Sequence, residues 1–305
     1  MKLSYREDIR NVLKKSGAKP SKRFGQNFLT SEKKIKEIVE AANIKPDDIV
    51  IEIGPGVGNL TQELAKKAKK IIAIEKDGNM VKIIKETLKD YKNTEIIQAD
   101  ILKINTTGAC PVTPDIISDK YKVVANLPFY IATAIIKKFI EAKNQPELMI
   151  LTVQKEVGQR ICASPPNMSL LAISVQFYAE AKIISYIPKK LFWPSPKVDS
   201  AIIILKPRID TDIKQINTDI KRTDTDIKQA NKDLFFKIIK AGFSQPRKQL
   251  ANNLTKNLNL NPLVGIELDK KQIEGWLLKN SIKPCQRAET LSLENWISLA
   301  KSLPY

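Results

Sequence analysis

The sequence predicts an α/β fold in which a doubly wound, mostly parallel sheet with antiparallel final strands precedes a small C-terminal helical domain. Two observations predict it. From residue 48 onward, short β-branched apolar runs alternate with amphipathic helical stretches, and near-continuous apolar strands are typical of a parallel sheet that is covered on both faces. From residue 234 onward, the apolar residues recur at helical spacing instead.

The predicted strands follow one another along the chain. The five runs that should form the parallel part of the sheet are 48–53, 70–75, 95–98, 122–125 and 148–153. Two longer runs, 174–181 and 200–205, have no obvious crossover helix between them. Because parallel neighbours need a crossover connection, we expect these two runs to give the sheet an antiparallel finish.

A repeat of seven residues occupies positions 211–231, where Thr-Asp-Ile-Lys recurs at 211, 218 and 225. A heptad period is typical of a coiled coil, but only one position in each repeat is reliably apolar, so no a/d seam can form. A solvated helix or a linker without a specific function is therefore predicted. The predicted segments are a basic N-terminal arm (1–30), the sheet domain (31–209), the repeat linker (210–233) and the helical domain (234–305).

The composition excludes several kinds of chemistry. The 305 residues contain no histidine, which excludes a Ser-His-Asp triad, an imidazole base and a His-ligated metal. The three cysteines, Cys110, Cys162 and Cys285, form no CxxC pair, so we expect no metal site and no disulfide framework. No segment approaches the ~18 apolar residues of a membrane span and no apolar leader is present, so we expect a cytoplasmic protein without a membrane partner.

The charge balance indicates a polyanionic partner. The chain has 51 Lys and Arg against 33 Asp and Glu, a net charge of +18. The surplus is +6 in residues 1–30 and +6 in residues 234–305, whereas the linker carries −1. Nucleic acid is the expected partner, and a solvated basic surface is the alternative. The candidate RNA contacts are Lys22, Arg23, Arg247 and Lys248.

Glycines and acids lie where parallel strands end. Gly54, Gly56 and Gly58 follow the first strand, where glycine lets the backbone approach a ligand and the next helix N-terminus favours an anion. Glu75 ends the second strand, 21 positions after Gly54, and a carboxylate there can accept two ribose hydroxyls. Asp100, just past the third strand, can accept from an adenine amino group, with a helix N-cap as the alternative. Together these residues indicate an adenosine-containing ligand.

The segment after the fourth strand reads Asn126-Leu127-Pro128-Phe129. An asparagine oxygen held by a proline-stiffened turn can accept a hydrogen bond from an amino group. The adjacent ring offers a face on which a base can stack, a contact worth ~1–3 kcal/mol. We therefore predict that these four residues form the catalytic segment. Taken alone, the four residues could be a turn beside a core phenylalanine. Because they follow the glycine loop, Glu75 and Asp100 in order along the chain, the catalytic interpretation is favoured.

Five motifs, in order, resemble those of the rRNA adenine N6-dimethyltransferases. They lie at 23–29, 52–61, 126–131, 154–160 and 192–201, and a weaker match follows at 247–254. The heptad repeat at 211–231 departs from the family pattern, which has a less repetitive connection at this place. The resemblance implies a Rossmann-like methyltransferase that uses S-adenosyl-L-methionine. By the same resemblance, Asn27, Leu29, Gly54, Gly56, Glu75, Asp100 and Asn126 would contact the cofactor, and Phe129 and Phe192 would sandwich a flipped adenine.

The resemblance also implies a substrate. It would be two adjacent adenines in the 3′-terminal hairpin loop of small-subunit (16S) rRNA, each dimethylated on an immature small subunit during ribosome biogenesis, and we expect a monomer. A large-subunit rRNA methyltransferase of the antibiotic-resistance type is an alternative, but the motif 192–200 favours the small subunit. A non-catalytic nucleic-acid-binding relative is disfavoured by the intact 126–129 segment and Glu75. A nicotinamide-dependent dehydrogenase is disfavoured by the GxGxG spacing.

Overall fold

The computed structural model describes residues 6–104, 120–208, 225–258 and 268–303. The chain divides into two compact units. The first unit comprises Met1–Gln159 and Ala179–Pro207, and the second comprises Arg160–Tyr178 and Arg208–Tyr305. These bounds differ from the predicted sheet domain, because residues 160–178 belong to the second unit. Among the described residues, no helix is both long enough and apolar enough to cross a membrane.

The first unit is built on a seven-stranded sheet in the order β4-β3-β2-β5-β6-β9-β7. The strands from β4 to β6 are parallel to one another, and β9 runs antiparallel to both β6 and β7. The predicted parallel sheet with an antiparallel finish is therefore confirmed. A separate two-stranded pair joins β1 to β8. The strands are β1 Phe28–Leu29, β2 Ile49–Ile53, β3 Lys70–Glu75, β4 Thr94–Gln98, β5 Tyr121–Asn126, β6 Leu148–Gln154, β7 Ala179–Ile187, β8 Phe192–Trp193 and β9 Ser200–Pro207.

Helices follow the parallel strands, as the alternating pattern predicts. Two helices of the first unit begin at side-chain caps: the Ser31 hydroxyl accepts from the backbone N–H of Lys34, and the Asp77 carboxylate accepts from that of Asn79. The central strands are almost entirely buried, which explains their continuous apolar sequences. The helices are α1 Arg6–Lys15, α2 Glu32–Ala41, α3 Asn59–Ala65, α4 Gly78–Thr87, α5 Ala132–Ile140 and α6 Lys155–Ile161, the last of which crosses the boundary between the units.

The basic N-terminal segment contains a packed helix. Helix α1 places Ile9, Val12 and Leu13 on one face, at the spacing of an amphipathic helix. This face forms an apolar cluster that includes Val57 of the glycine loop and Met80 of α4. The N-terminal segment thus belongs to the first unit and supports the loop that follows β2.

The prediction of a strand over 174–181 is wrong for its first part. Residues Leu170–Gln176 form helix α7, and strand β7 begins only at Ala179. Ser169 caps the helix by accepting from Ala172 at 3.1 Å. The ring of Phe177, just beyond the helix, stacks on Phe235 of the second unit with the centroids 4.6 Å apart. This packing against a helix, rather than the local β-branched residues, decides the structure of the segment.

The second unit is helical, as predicted for the C-terminal region. Its core includes Trp276, Leu277 and Trp296, all of them buried. The first two heptads of the repeat lie outside the described residues, and the third begins a helix at Thr225. The helices of this unit are α7 Leu170–Gln176, α8 Thr225–Gly242, α9 Leu250–Asn257, α10 Lys270–Lys279 and α11 Leu293–Lys301.

Candidate active site

A cleft opens in the first unit at the carboxyl ends of β2, β3 and β5, the edge at which doubly wound sheets bind ligands. About 610 Å³ of space in this region is free of protein atoms, and part of it is open solvent. Eight of the residues that the sequence singled out line it: Asn27, Gly54, Gly56, Glu75, Asn126, Leu127, Pro128 and Phe129. The structure therefore brings together the glycine loop, the acid of β3 and the predicted catalytic segment.

The glycine loop after β2 requires glycine for a steric reason. Gly54 and Gly56 have φ angles of +66° and +58°, in the left-handed region that side chains disfavour. A Cβ on Gly56 would lie only 2.8 Å from the ring of Phe28. The Phe28 ring of β1 therefore packs directly on the loop backbone, in the place that a side chain at position 56 would need.

Glu75 joins two loops at the floor of the cleft. Its Oε2 accepts from the backbone N–H of Gly56 at 3.2 Å, and its Oε1 accepts from that of Asp77 at 2.9 Å. Burial raises the pKa of this carboxyl group, while the hydrogen bonds from Asp77 and Gly56 oppose the shift. Glu75 thus fixes the glycine loop against the end of β3, with the carboxylate facing the cleft.

Glu52 also lines the cleft, although no role for it followed from the sequence. It lies on β2, is only 1 % exposed, and its Oε2 has no hydrogen-bond partner among the described residues. Burial, together with the nearby charge of Glu75, raises the pKa of Glu52 to about 8. A buried oxygen without a partner is costly unless a ligand satisfies it. In the sequence, the feature that could have identified Glu52 is its position as an acid inside an otherwise apolar strand.

The predicted catalytic segment leaves the sheet at the end of β5. Leu127 still donates its N–H to the Thr152 carbonyl at 3.3 Å, and a 3₁₀ turn then begins at Phe129. Asn126 donates its Nδ2 to the backbone carbonyl of Asn27 at 3.1 Å. Since that bond uses the amino side of the amide, the Oδ1 is left to accept a hydrogen bond. No described residue donates to it.

The segment before β1 is tied to the opposite wall of the cleft. Gln26 donates its Nε2 to Asp77 Oδ2 at 2.8 Å, and its Oε1 accepts from the N–H of Ser21 at the same distance. Asp77 is the residue that caps α4. One side chain therefore links the N-terminal segment to the loop after β3. Gln26 lies within the motif 23–29, but no role for it followed from the sequence.

Three predicted site residues do not line the cleft. The side chains of Leu29 and Phe192 are buried in the apolar core, where the two residues face each other across the β1–β8 pair. Phe192 is only 2 % exposed, so its ring offers no free face in this conformation. Asp100 accepts from Lys76 at 2.8 Å and from the backbone of Leu102 at 3.1 Å. The hydrogen bond from Lys76 holds the pKa of Asp100 below its usual value.

The predicted basic contacts fall in both units. Lys22 and Arg23 are exposed in the turn that precedes the cleft residues of the first unit. Arg247 and Lys248 are exposed in the connection between α8 and α9 of the second unit. In the second unit, the run from Ser244 to Gln249 is exposed throughout.

The cleft fits an adenosine-containing cofactor that carries a positive charge. Gly54 and Gly56 hold a left-handed backbone that disfavours side chains, so the loop can present its backbone to a ligand. The Glu75 carboxylate lines the cleft and could accept from ribose hydroxyls, and the unpartnered oxygen of Glu52 would be satisfied by a cation. S-Adenosyl-L-methionine has both features, an adenosine and a positive charge.

Comparisons with known proteins agree with this chemistry. Residues 17–299 match the family profile described as ribosomal RNA adenine dimethylase. The chain is 38% identical over 296 residues to ribosomal RNA small subunit methyltransferase A of Geobacillus kaustophilus, a match that covers 96% of this chain and 94% of that relative.

Two solved structures share the fold. A dimethyladenosine transferase from Plasmodium falciparum superposes with a TM-score of 0.69 and 27% identity, covering 89% of this chain and 95% of that one. The 23S rRNA methyltransferase ErmE superposes with a TM-score of 0.67 at 23% identity, covering 91% and 99%. The second similarity concerns the fold alone.

Proposed function

Because the chain belongs to the ribosomal RNA adenine dimethylase family, we propose that the cleft of the first unit is where it methylates adenine N6. The chain is a small-subunit rRNA adenine dimethyltransferase, and S-adenosyl-L-methionine is its methyl donor. The observation that supports the cleft as the site is the hydrogen bond from Asn126 to Asn27, which leaves the Asn126 Oδ1 available beside the glycine loop.

Residues that line the cleft or lie outside it would hold the cofactor together. Glu75 would accept the ribose hydroxyls, and Glu52 would pair with a positive charge. Asp100 would accept from the adenine amino group, since each carboxylate oxygen has a second lone pair beyond the one that Lys76 or Leu102 uses. The remaining contacts would come from Asn27, Gly54, Gly56 and Asn126, with Leu29 supporting the wall from the core.

The catalytic segment would act on the substrate amino group. Adenine N6 is a weak nucleophile because its lone pair is delocalised into the ring. The Asn126 Oδ1 and the Leu127 backbone carbonyl would accept its two hydrogens and favour a tetrahedral nitrogen, while Pro128 stiffens the turn. This is catalysis by orientation and by complementarity to developing positive charge. When bound, the cofactor supplies a sulfonium methyl group, which is already a strong electrophile.

No strong base is needed to complete the reaction. As the new N–C bond forms, the nitrogen becomes positively charged and acidic, so it can lose its proton to water. This agrees with a chain that contains no histidine. Phe129, which lines the cleft and is half-buried, would hold the flipped base by stacking. Phe192 would complete a sandwich only if the β1–β8 pair opened and uncovered its ring.

The finer features of the substrate belong to the same proposal. We propose that the targets are two adjacent adenines in the 3′-terminal hairpin loop of 16S rRNA, presented on an immature small subunit in the cytoplasm to a monomer of this chain. The helical unit would contribute RNA contacts through Arg247 and Lys248. Its surplus of +6 in residues 234–305 supports this role, since phosphate neutralisation dominates nucleic-acid affinity.

One assay tests the function. The protein is incubated with labelled methyl donor and either unmethylated small subunits or large-subunit RNA, and the RNA is digested to nucleosides. Label in N6,N6-dimethyladenosine from small subunits alone is expected. Label from the large-subunit RNA alone would overturn the proposal in favour of the antibiotic-resistance type of enzyme, and no label from either would favour a non-catalytic relative.

The same products test the position of the targets. A dimethylated N6 cannot form a Watson–Crick pair, so reverse transcription should stop at the modified nucleotides. Two neighbouring stops in the 3′-terminal hairpin are expected. Stops elsewhere in the small-subunit RNA would show that the target adenines do not lie in the hairpin loop, but the protein would still be a small-subunit rRNA adenine methyltransferase.

A further inference from the structure

Tyr130 is an exposed aromatic residue directly beside the cleft. It follows Phe129 in the same 3₁₀ turn, but whereas Phe129 lines the cleft, the Tyr130 side chain is 57 % exposed. Among the described residues, it is the most exposed aromatic side chain. Its ring is therefore accessible to solvent, and accessible aromatic rings are the groups on which unpaired bases stack.

The ring of Tyr130 is supported from the protein side. A Cβ built on Gly25 would lie 3.2 Å from the ring carbon Cδ1, so the backbone of the segment before β1 lies close against the ring. Gly25 has a φ of +60°, which again disfavours a side chain there. The ring therefore has a rigid backing and an outer side in solvent, the arrangement of a preorganised stacking surface.

Two exposed cations, Lys76 and Arg23, lie in the same part of the first unit as Tyr130. Lys76, directly after Glu75, is exposed and pairs with Asp100 at 2.8 Å. That bond chiefly raises the pKa of Lys76, and the Tyr130 phenol and the Arg23 guanidinium also lie near enough to act on it. Arg23 lies over the ring of Phe24, 5.8 Å from its centroid. Aromatic rings interleaved with exposed cations are typical of surfaces that bind single-stranded nucleic acid.

We propose that Tyr130 is a stacking platform for the unpaired base next to the target adenine, and that Arg23 and Lys76 contact the phosphates of that step. The proposal rests on the proposed function, because a base-flipping enzyme separates its target from a neighbour. That neighbour loses a stacking partner at the mouth of the cleft. Phe129 and Tyr130 are consecutive residues with their Cα atoms about 3.8 Å apart, so one turn can offer a ring to each of two successive bases.

Tyr186 provides a matched comparison. It is also an exposed tyrosine of the first unit, 42 % exposed on the edge strand β7. The ammonium of Lys155 lies 5.2 Å from the centroid of the Tyr186 ring. The ring of Tyr186 is therefore already in a cation–π contact within the protein. The outer side of Tyr130 has no comparable cover among the cation–ring and ring–ring contacts of the described residues.

The first test compares three variants on unmethylated small subunits. Tyr130→Ala should lower kcat/KM by about 5- to 150-fold, the loss of one stacked base, with the affinity for S-adenosyl-L-methionine unchanged. Tyr130→Phe keeps the ring and should recover most of that loss, and Tyr186→Ala should match the wild type. A Tyr130→Ala enzyme within twofold of the wild type would overturn the platform. A Tyr130→Phe enzyme as impaired as Tyr130→Ala would assign the effect to the hydroxyl group instead.

The second test identifies the partner of the ring. Binding of wild type and Tyr130→Ala is measured by fluorescence anisotropy on short RNAs that contain two adjacent adenines, with an abasic site replacing the base on one side or the other. The Tyr130→Ala loss should disappear on one abasic RNA and persist on the intact RNA. Equal losses on every RNA would overturn the proposal. A wild-type enzyme that labels no small-subunit adenine would instead refute the proposed function, so the two failures are distinguishable.

Discussion

Asn126 and Asn27 are joined by a hydrogen bond of 3.1 Å, in which the Asn126 Nδ2 donates to the Asn27 backbone carbonyl. One residue ends a central strand of the sheet and the other precedes the short strand β1, so the bond connects residues 99 positions apart. It orients a side-chain oxygen that no described residue uses. The predicted reaction depends on this orientation.

Replacing Asn126 by Ala should abolish methyl transfer while leaving RNA binding largely intact. The variant loses the oxygen that would accept from N6, so we expect the single-turnover rate to fall by at least about 100-fold, as for other positioned hydrogen-bonding groups. RNA affinity, measured by gel shift, should stay within about twofold. Asn79→Ala is the control, because Asn79 is an exposed residue of α4. Near-wild-type transfer by Asn126→Ala would reject the role.

The two candidate stacking rings should respond differently to truncation. Phe129 lines the cleft, so Phe129→Ala should mainly lower kcat/KM, by about 5- to 150-fold. Phe192 is buried in the core, so Phe192→Ala should lower the free energy of unfolding by about 3–5 kcal/mol, as measured in urea. A Phe192→Ala protein with wild-type stability and no activity would contradict this division and favour the sandwich of two rings.

Gly56→Ala should weaken cofactor binding through a steric conflict. The new Cβ would lie 2.8 Å from the Phe28 ring on a backbone with a φ of +58°, and the left-handed conformation alone costs about 1–2 kcal/mol. Calorimetry should show an affinity for S-adenosyl-L-methionine at least about tenfold lower. Gly275→Ala in α10 is the control: its Cβ meets nothing within 4 Å, so it should stabilise the protein by about 0.5–1 kcal/mol. If Gly56→Ala bound S-adenosyl-L-methionine with unchanged affinity, close approach of the cofactor to the backbone of this loop would be rejected.

Local patterns predicted the sheet and most of the cleft because these features depend on neighbours in sequence. A buried parallel strand is apolar along its length, and the ends of such strands meet at one edge, so Gly54, Glu75 and Asn126 could be grouped without coordinates. The same reliance on local pattern led to the wrong prediction of a strand for the first part of 174–181. Its β-branched residues also suit a buried helix, and packing on Phe235 decides between the two.

The remainder depends on contacts between distant residues. The burial of Phe192 follows from pairing of β8 with β1, and the fixing of Gln26 follows from its bond to Asp77, 51 positions away. Neither pairing leaves a periodic signal in the sequence. Glu52 could have been noticed as an acid within an apolar strand, but its unpartnered oxygen is visible only once the strand is buried.

The buried carboxyl group of Glu52 should make the stability of the cofactor-free protein depend on pH. Its pKa is about 8 in the folded chain against an ordinary value of 4.5, so the folded state binds more protons between these values. The free energy of unfolding should therefore fall as the pH rises through this window, by up to about 1.4 kcal/mol per pH unit from this group. Urea unfolding at pH 6 and pH 8 should show wild type losing about 2 kcal/mol more than Glu52→Gln, which cannot titrate. With S-adenosyl-L-methionine bound, the wild-type loss should shrink, because a nearby cation favours the ionised carboxylate. Equal losses in wild type and Glu52→Gln would mean that Glu52 is already ionised in the folded chain.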